Sequence, residues 1–362
     1  MKKNILHVSP NFNLVCGISK HVFALLTSEE LKREFNLHFI TNGGDALQKL
    51  ENENVSYTLM NFQTDKLLHF NLYKKLRWLR RYCREKEVNI IHSHHRYPDY
   101  LSNRIKRTLA IKSVVTVHNF VTGFKWLSYK SDIIIAISNS VKNHLIDYFG
   151  IDPKKIKVFY NCIKTSKQLL KSKEKIKYSY GIPQDHFVLF FAGRIIPEKG
   201  IKTLLESFRL LENDVQNIVL LMVGDNKSFF KPNSFPEKFN KIFLLRAEEN
   251  IQKLYKIADL VILPSLKEGL GYTMLESGLY KIPFIGSRIG GIVEFIEDGV
   301  NGYLFEPGSV DDLAEKINYV LRHPEESKLG ADRLHQKVIN ECNCEKYFTN
   351  LANIYYDLLS EK

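Results

Sequence analysis

Two carboxylates eight positions apart, Glu268 and Glu276, frame the stretch Leu263-Pro-Ser-Leu-Lys-Glu-Gly-Leu-Gly-Tyr-Thr-Met-Leu-Glu-Ser-Gly278. An apolar run precedes it, and a helical pattern opens at Gly271 and Tyr272. Glu268 therefore falls in a loop and Glu276 about two turns into a helix. Gly269 and Gly271, on either side of Leu270, let backbone N–H groups approach a ligand closely, and the helix start adds positive potential that suits a phosphate. Carboxylates that accept from hydroxyls, beside a turn that accepts an anion, suit a sugar nucleotide. Taken alone, a solvated Glu pair around an ordinary strand-to-helix turn fits the same pattern, so the reading depends on a second loop.

That loop lies some seventy residues upstream. Phe187-Val-Leu-Phe-Phe-Ala-Gly-Arg-Ile-Ile-Pro-Glu-Lys-Gly200 reads as a buried strand, a break at Gly193, cations at Arg194 and Lys199, and a helix starting near Gly200. Two cations in such a loop could hold a diphosphate. A diphosphate leaving group needs its growing negative charge stabilised, which positive side chains and helix N-termini can do without a metal. The chain has no Asp-x-Asp motif, so no metal or other cofactor is expected.

Together with Asp259 in Tyr255-Lys-Ile-Ala-Asp-Leu-Val-Ile-Leu-Pro-Ser265, these segments resemble the retaining nucleotide-sugar glycosyltransferases of family 4. Thr116-Val-His118-Asn119, Ile135-Ala-Ile-Ser138, Lys157-Val-Phe-Tyr-Asn161, Gly290-Gly-Ile-Val-Glu294 and Asp298-Gly-Val-Asn-Gly-Tyr-Leu304 extend the resemblance over nearly the whole chain. It implies the GT-B fold: two Rossmann-like parallel-sheet domains facing across a cleft, with a C-terminal helix crossing back to the first. The implied donor site comprises Gly17, Gly193, Arg194, Lys199, Glu268, Gly269, Leu270, Gly271, Tyr272 and Glu276, with His118, Arg194, Lys199 and Glu268 as catalytic residues. His118 would lie beside the transferred sugar, with His94 and His95 on the acceptor or sugar side. The implied reaction moves a hexose or N-acetylhexosamine, with retention, to a glycan or lipid-linked acceptor in polysaccharide or lipopolysaccharide synthesis. The chain departs from the family at Cys16 and Cys162, where glycines are usual, and at Leu245-Arg246 near the base. A nucleotide-sugar epimerase on the same fold and a non-catalytic, membrane-associated partner subunit are the alternatives.

The elements that must position these residues follow from composition and pattern. A chain of 362 residues with 44% apolar residues can fill two cores. Residues 1–162 with a C-terminal helix over 345–362 should form the first domain, and 163–344 the second. Apolar runs such as Val188–Ala192 and Ile133–Ile137 are far short of the roughly 20 residues that span a bilayer. No signal peptide is expected, and the five cysteines lack metal-ligand spacing, which suits reduced thiols in a cytoplasm.

The net charge is +12, and residues 1–160 hold the whole surplus, with 25 Lys+Arg against 13 Asp+Glu. No nucleic-acid motif accompanies it, so an anionic membrane surface or acceptor is the expected partner rather than nucleic acid. The helix expected over Phe70–Lys86 places Leu72, Leu76, Leu79 and Cys83 on one face and Lys74, Arg77, Arg81 and Arg84 on another, with Trp78 among them. A solvated surface helix fits that pattern equally.

Strands expected over Val88–Ser93 and Ser113–His118 end in histidines, and ligands of open α/β sheets lie beyond such strand ends. His94, His95 and His118 therefore face one crevice. No carboxylate sits at ligand spacing, so a zinc centre is not expected. Gly17, opening a helix over Ile18–Leu26, is either a donor-loop glycine or a turn glycine. Ser138 reads as the N-cap of a helix over Val141–Phe149. The segment 226–238, rich in proline and phenylalanine, reads as an irregular insertion.

Overall fold

The computed structural model describes residues 2–62, 68–164, 172–212, 214–225, 241–246 and 250–360, and the insertion expected over 226–238 lies outside the described residues. The chain divides into two compact units, Met1–Cys162 with Cys344–Lys362, and Ile163–Asn343.

In the first unit, seven short runs become strands: β1 (Lys3–Val8), β2 (Phe35–Thr41), β3 (Thr58–Leu59), β4 (Val88–Ser93), β5 (Lys112–Val117), β6 (Ile133–Ala136) and β7 (Ile156–Val158). They pair in parallel in the order β3-β2-β1-β4-β5-β6-β7. Strands buried on both faces need apolar side chains in both directions, and consecutive residues serve opposite layers. Ile5 and Ile90 pack with the C-terminal helix Cys344–Ser360 through Leu351, Tyr355 and Leu358. Leu6 and Ile91 pack on the other side with Leu79 and Cys83 of helix Leu68–Glu85. The C-terminal helix therefore belongs to the core of the first unit.

The second unit repeats the plan with β8 (Phe187–Ala192), β9 (Ile218–Val223), β10 (Ile242–Leu245), β11 (Leu260–Leu263), β12 (Phe284–Ser287) and β13 (Tyr303–Phe305). All pair in parallel, in the order β10-β9-β8-β11-β12-β13. Leu189, Phe191, Leu220 and Ile262 pack against Leu204 and Phe208 of helix Ile201–Glu212 and Leu313 and Ile317 of helix Val310–Arg322.

In both units the strand order reverses beside the first strand, between β1 and β4 and between β8 and β11. In doubly wound sheets the crevice for ligands opens there, beyond the carboxyl ends of the two strands. The carboxyl ends of β1, β4, β8 and β11 are thus where chemistry is expected.

Several elements differ from the sequence reading. Val55-Ser-Tyr-Thr-Leu-Met60 alternates as a strand would, yet only Thr58–Leu59 pairs, and the three-residue β13 and the helix Pro324–Glu341 carry no clear sequence signal. Asp259, grouped with the site loops by sequence, lies at the start of β11. One of its carboxylate oxygens is 2.6 Å from Lys173 Nζ and the other accepts from Val188 N at 2.9 Å, so it ties strand starts together at the end opposite the site.

Candidate active site

The loops that follow β8 and β11 are interlocked by one glycine. Gly200 holds φ +67°, and a Cβ there would run into the Pro264 carbonyl, so the cationic loop can touch the end of β11 only because residue 200 has no side chain. Leu266 N donates to Glu198 O at 2.8 Å across the same junction. The seam brings Lys199 to Glu268: Nζ lies 2.5 Å from Oε2, with both side chains mostly buried, and Ser265 Oγ donates to the same oxygen at 3.2 Å. Sequence reasoning gave these residues separate tasks, Lys199 to phosphate and Glu268 to sugar. Folding makes them one unit, in which the ammonium is anchored by the carboxylate and keeps further N–H groups for another acceptor.

Arg194 leaves β8 just after Gly193 and is exposed, and among the described residues its guanidinium has no ion pair or hydrogen-bond partner. Gly269 and Leu270 are buried beneath the loop. Gly271, at φ +89°, is the N-cap of helix Tyr272–Leu279, and a side chain there would run into Leu263 and touch Glu268. The first turn of that helix has backbone N–H groups with no intrahelical acceptor, which suits an anion. Thr273 Oγ1 donates to Ala192 O at 2.8 Å and pins this helix start to the end of β8.

Glu276 lies inside the same helix and is only 9% exposed. Tyr255 Oη donates to its Oε2 at 2.6 Å, which fixes the carboxylate's orientation. Burial, and then the neighbouring Glu276 charge, hold the Tyr255 phenol well above its usual range, and the same two causes push Tyr280, stacked on Tyr255 at 5.2 Å, up to about 12. Tyr255 is a positioning residue for Glu276 that sequence reasoning did not assign. Its spacing of twenty-one residues from Glu276 carries no local signal.

In the first unit the structure gathers five imidazoles rather than three. His7 is paired in register with His92 across β1 and β4, His94 and His118 directly follow β4 and β5, and His21 comes from helix Gly17–Leu26. His7, His21, His92 and His94 are essentially fully buried and His118 is 6% exposed. Ring centroids are 4.5 Å apart for His92 and His94, 4.9 Å for His21 and His118, and 5.8 Å for His94 and His118. The C-terminal helix adds two phenols: Tyr355 Oη is 2.6 Å from His92 Nδ1 and Tyr347 Oη 3.3 Å from His21 Nε2. Burial holds His7 and His21 down to about 3, and burial together with the other imidazoles holds His92, His94 and His118 well below the usual histidine range. Burial therefore favours the uncharged rings throughout the cluster.

His95, expected in the same crevice, makes no ring contact with the cluster among the described residues, though its charge would act on His118. It is part-exposed, its Nδ1 is 3.5 Å from Ser9 Oγ, and burial lowers its pKa to about 4. Gly17 begins the helix that delivers His21, and Cys16 caps that helix without a side-chain bond. Ser138 Oγ accepts from Val141 N at 3.1 Å, the N-cap expected of it.

Helix Leu68–Glu85 exposes Lys74, Arg77, Arg81 and Arg84, while Leu76, Leu79 and Cys83 face the core. Trp78 does not join the exposed row. It packs partly buried against that core and stacks on Tyr82 at 5.4 Å, because a ring this size on a basic helix gains more from the neighbouring apolar face than from water. The exposed aromatics of this unit include Tyr73 of the same helix, 59% exposed, together with Phe124, 66% exposed, and Trp126, 74% exposed.

Two doubly wound units, the second with two interlocked glycine-bearing loops at its switch point, set the architecture, and sequence comparison supplies the family. Residues 16–167 match the model for Glycosyltransferase Family 4, and residues 172–332 that for Glycosyl transferases group 1. The chain belongs to this glycosyltransferase family and has its GT-B fold. It is 26% identical over 297 residues to N-acetyl-alpha-D-glucosaminyl L-malate synthase of Bacillus anthracis, covering 77% of each chain. It is 25% identical to UDP-Gal:alpha-D-GlcNAc-diphosphoundecaprenol alpha-1,3-galactosyltransferase of Escherichia coli, covering 100% of this chain and 98% of that one. Among solved structures, the fold matches Anabaena HepE in complex with UDP-glucose at a TM-score of 0.82 and 18% identity, covering 98% and 99% of the two chains.

Proposed function

We propose that this glycosyltransferase transfers a hexose or N-acetylhexosamine from a uridine diphosphosugar, with retention, to a lipid-linked glycan acceptor. The observation that carries the reading is the Lys199–Glu268 pair, seated at the ends of β8 and β11 between the unpaired Arg194 and the start of helix Tyr272–Leu279. A diphosphate brought to that point finds a guanidinium, an ammonium already held in place, and backbone amides. Each of these interactions strengthens as charge grows on the leaving oxygen. Glu268 steadies Lys199 and accepts from sugar hydroxyls, and Glu276, aimed by Tyr255, accepts from the ribose. No metal is needed on the diphosphate in this scheme. The leaving phosphate takes the acceptor proton on the face it departs from, which gives retention. The Escherichia coli relative supports both a uridine diphosphate donor and a polyprenyl diphosphate-linked acceptor.

The acceptor side is consistent with the charge of the first unit. We assign Lys74, Arg77, Arg81 and Arg84 to docking on the anionic cytoplasmic leaflet, where each basic residue near the surface contributes on the order of 1 kcal/mol. No helix among the described residues is long and apolar enough to cross a membrane.

The test is a screen of nucleotide diphosphosugars against the full chain, reading melting temperature and release of the nucleotide. A uridine diphosphosugar should raise the melting temperature, as a ligand of the folded state must. With a polyprenyl diphosphate-linked N-acetylglucosamine acceptor, NMR of the product should show the donor's anomeric configuration preserved. A chain that no nucleotide sugar stabilises would refute the reading, and inversion would refute the mechanism.

A further inference from the structure

The histidine cluster exceeds what sugar contact requires. One imidazole beside a sugar is useful, but five in the buried interior of one unit leave ring nitrogens without partners. Among the described residues, His21 Nδ1, His94 Nδ1 and His118 Nε2 are buried with no hydrogen-bond partner, one on each ring, and the candidate ligand nitrogens of these three residues lie within 4.8 Å of one another. A buried nitrogen lone pair with nothing to accept from is costly, and three histidines gathered this closely, each with such a nitrogen, offer a ligand set.

The other nitrogen on two of these rings is already engaged. His21 Nε2 faces Tyr347 Oη at 3.3 Å, and His94 Nε2 faces His7 Nδ1 at 3.2 Å. When these Nε2 atoms carry the proton, the Nδ1 lone pairs of His21 and His94 are free, the arrangement by which outer contacts set the tautomer of a metal-bound histidine. The neighbouring triad His7, His92 and His94 is a poorer candidate. Both nitrogens of His92 are occupied, by Tyr355 Oη at 2.6 Å and Thr116 Oγ1 at 2.7 Å.

We propose that His21, His94 and His118 form a three-histidine site for a zinc-class divalent ion, with its remaining coordination position left to water or an anion. Three imidazoles and an open position is a recognised zinc donor set. Zinc–nitrogen bonds of about 2.0–2.1 Å bring ligand nitrogens roughly 3.4 Å apart, so nitrogens within 4.8 Å of one another need close by no more than about 1.4 Å. The ligands come from a helix and two strand ends, at positions 21, 94 and 118, so no sequence spacing could reveal them. The site lies apart from Arg194, Lys199 and Glu268 in the chain's division into units, and it does not depend on the donor assignment.

Untagged full-length protein, stripped with chelator and dialysed, is titrated with zinc chloride by calorimetry and with cobalt chloride by visible absorption. One equivalent of each should bind, with cobalt giving the intense bands of a low-coordinate site. X-ray absorption of the zinc-loaded wild type should count three imidazole nitrogens at about 2.0 Å. His118→Gln, the mildest of the ligand changes because His118 borders solvent, should weaken zinc binding at least tenfold, and Tyr347→Phe about tenfold through His21. His323→Gln, at an exposed histidine of the second unit, should leave it unchanged. Absence of stoichiometric zinc binding by the wild type, fewer than two imidazoles at the metal, or undiminished affinity in a folded His118→Gln protein would each overturn the proposal.

Discussion

Gly200→Ala should destabilise the second unit and disable the donor loop together, and Gly181→Ala provides its control. Both glycines sit at nearly the same left-handed φ, +67° and +68°. Around Gly181 a Cβ meets nothing within 4 Å, whereas at Gly200 it meets the Pro264 carbonyl, a backbone atom at the end of β11 that no rotamer change can move. The left-handed conformation costs an alanine roughly 1–2 kcal/mol at either position. The collision adds an overpacking cost of about 1–3 kcal/mol at Gly200 alone. For a unit of this size that excess corresponds to a melting gap of roughly 2–12 °C between the variants. Urea and thermal unfolding of both variants measure the gap. Relief of the collision must also move Lys199, so Gly200→Ala should lose donor-dependent stabilisation that Gly181→Ala keeps. Equal destabilisation with equal donor response would show that the β8 and β11 loops are not locked at this contact.

Asp99 gives a pH test in the first unit. Its carboxylate accepts from Ser131 Oγ, Lys130 N at 3.3 Å and Asn103 Nδ2 at 2.9 Å, yet burial raises its pKa from 3.8 to about 6. The folded state thus holds the proton more tightly, and stability falls as pH rises from about 4 to above 6. The loss should be on the order of 3 kcal/mol relative to Asp99→Asn; parallel stability curves for the two proteins would contradict it. Tyr255→Phe removes the hydroxyl that fixes Glu276 and leaves a buried carboxylate short of a partner, so donor affinity should drop about tenfold and stability by about 1–3 kcal/mol. A nucleotide titration showing unchanged affinity would separate Glu276 from the ribose. Wild-type protein should co-sediment with anionic but not neutral vesicles at low salt, and Lys74/Arg77/Arg81/Arg84→Glu should abolish this. Equal binding by that variant would reduce the helix to a solvated face.

The loops after β8 and β11 were legible because their signals are local. Buried strands read as uninterrupted apolar runs, and Gly193, Gly200 and Gly271 mark the turns that follow them. Helix Pro324–Glu341 escaped notice for a physical reason: it buries Ser327, Gly330, Ala331, Leu334 and Val338, and small residues at three of these five positions give almost no apolar periodicity. Its large residues Leu334 and Val338 close instead on Gly278, where a Cβ would meet both. The Lys199–Glu268 pair spans 69 positions and the Tyr255–Glu276 pair 21, so neither could be read as a pair before the sheet order brought β8 beside β11. Likewise His7 and His92 are ordinary strand residues in sequence, and only the parallel register of β1 and β4 sets them side by side. His21 had one available clue: it lies one turn into the helix that Gly17 opens, on the face that helix buries.

Stabilisation of the leaving diphosphate by the cationic loop is the central claim, and single-turnover kinetics of Arg194→Ala and Lys199→Ala test it most directly. With donor and acceptor saturating, each variant should stay folded and lose about 10²-fold or more in kcat, because the interaction removed is one that strengthens in the transition state. Turnover near the wild-type level in both variants would contradict the account, since the diphosphate would then be held elsewhere.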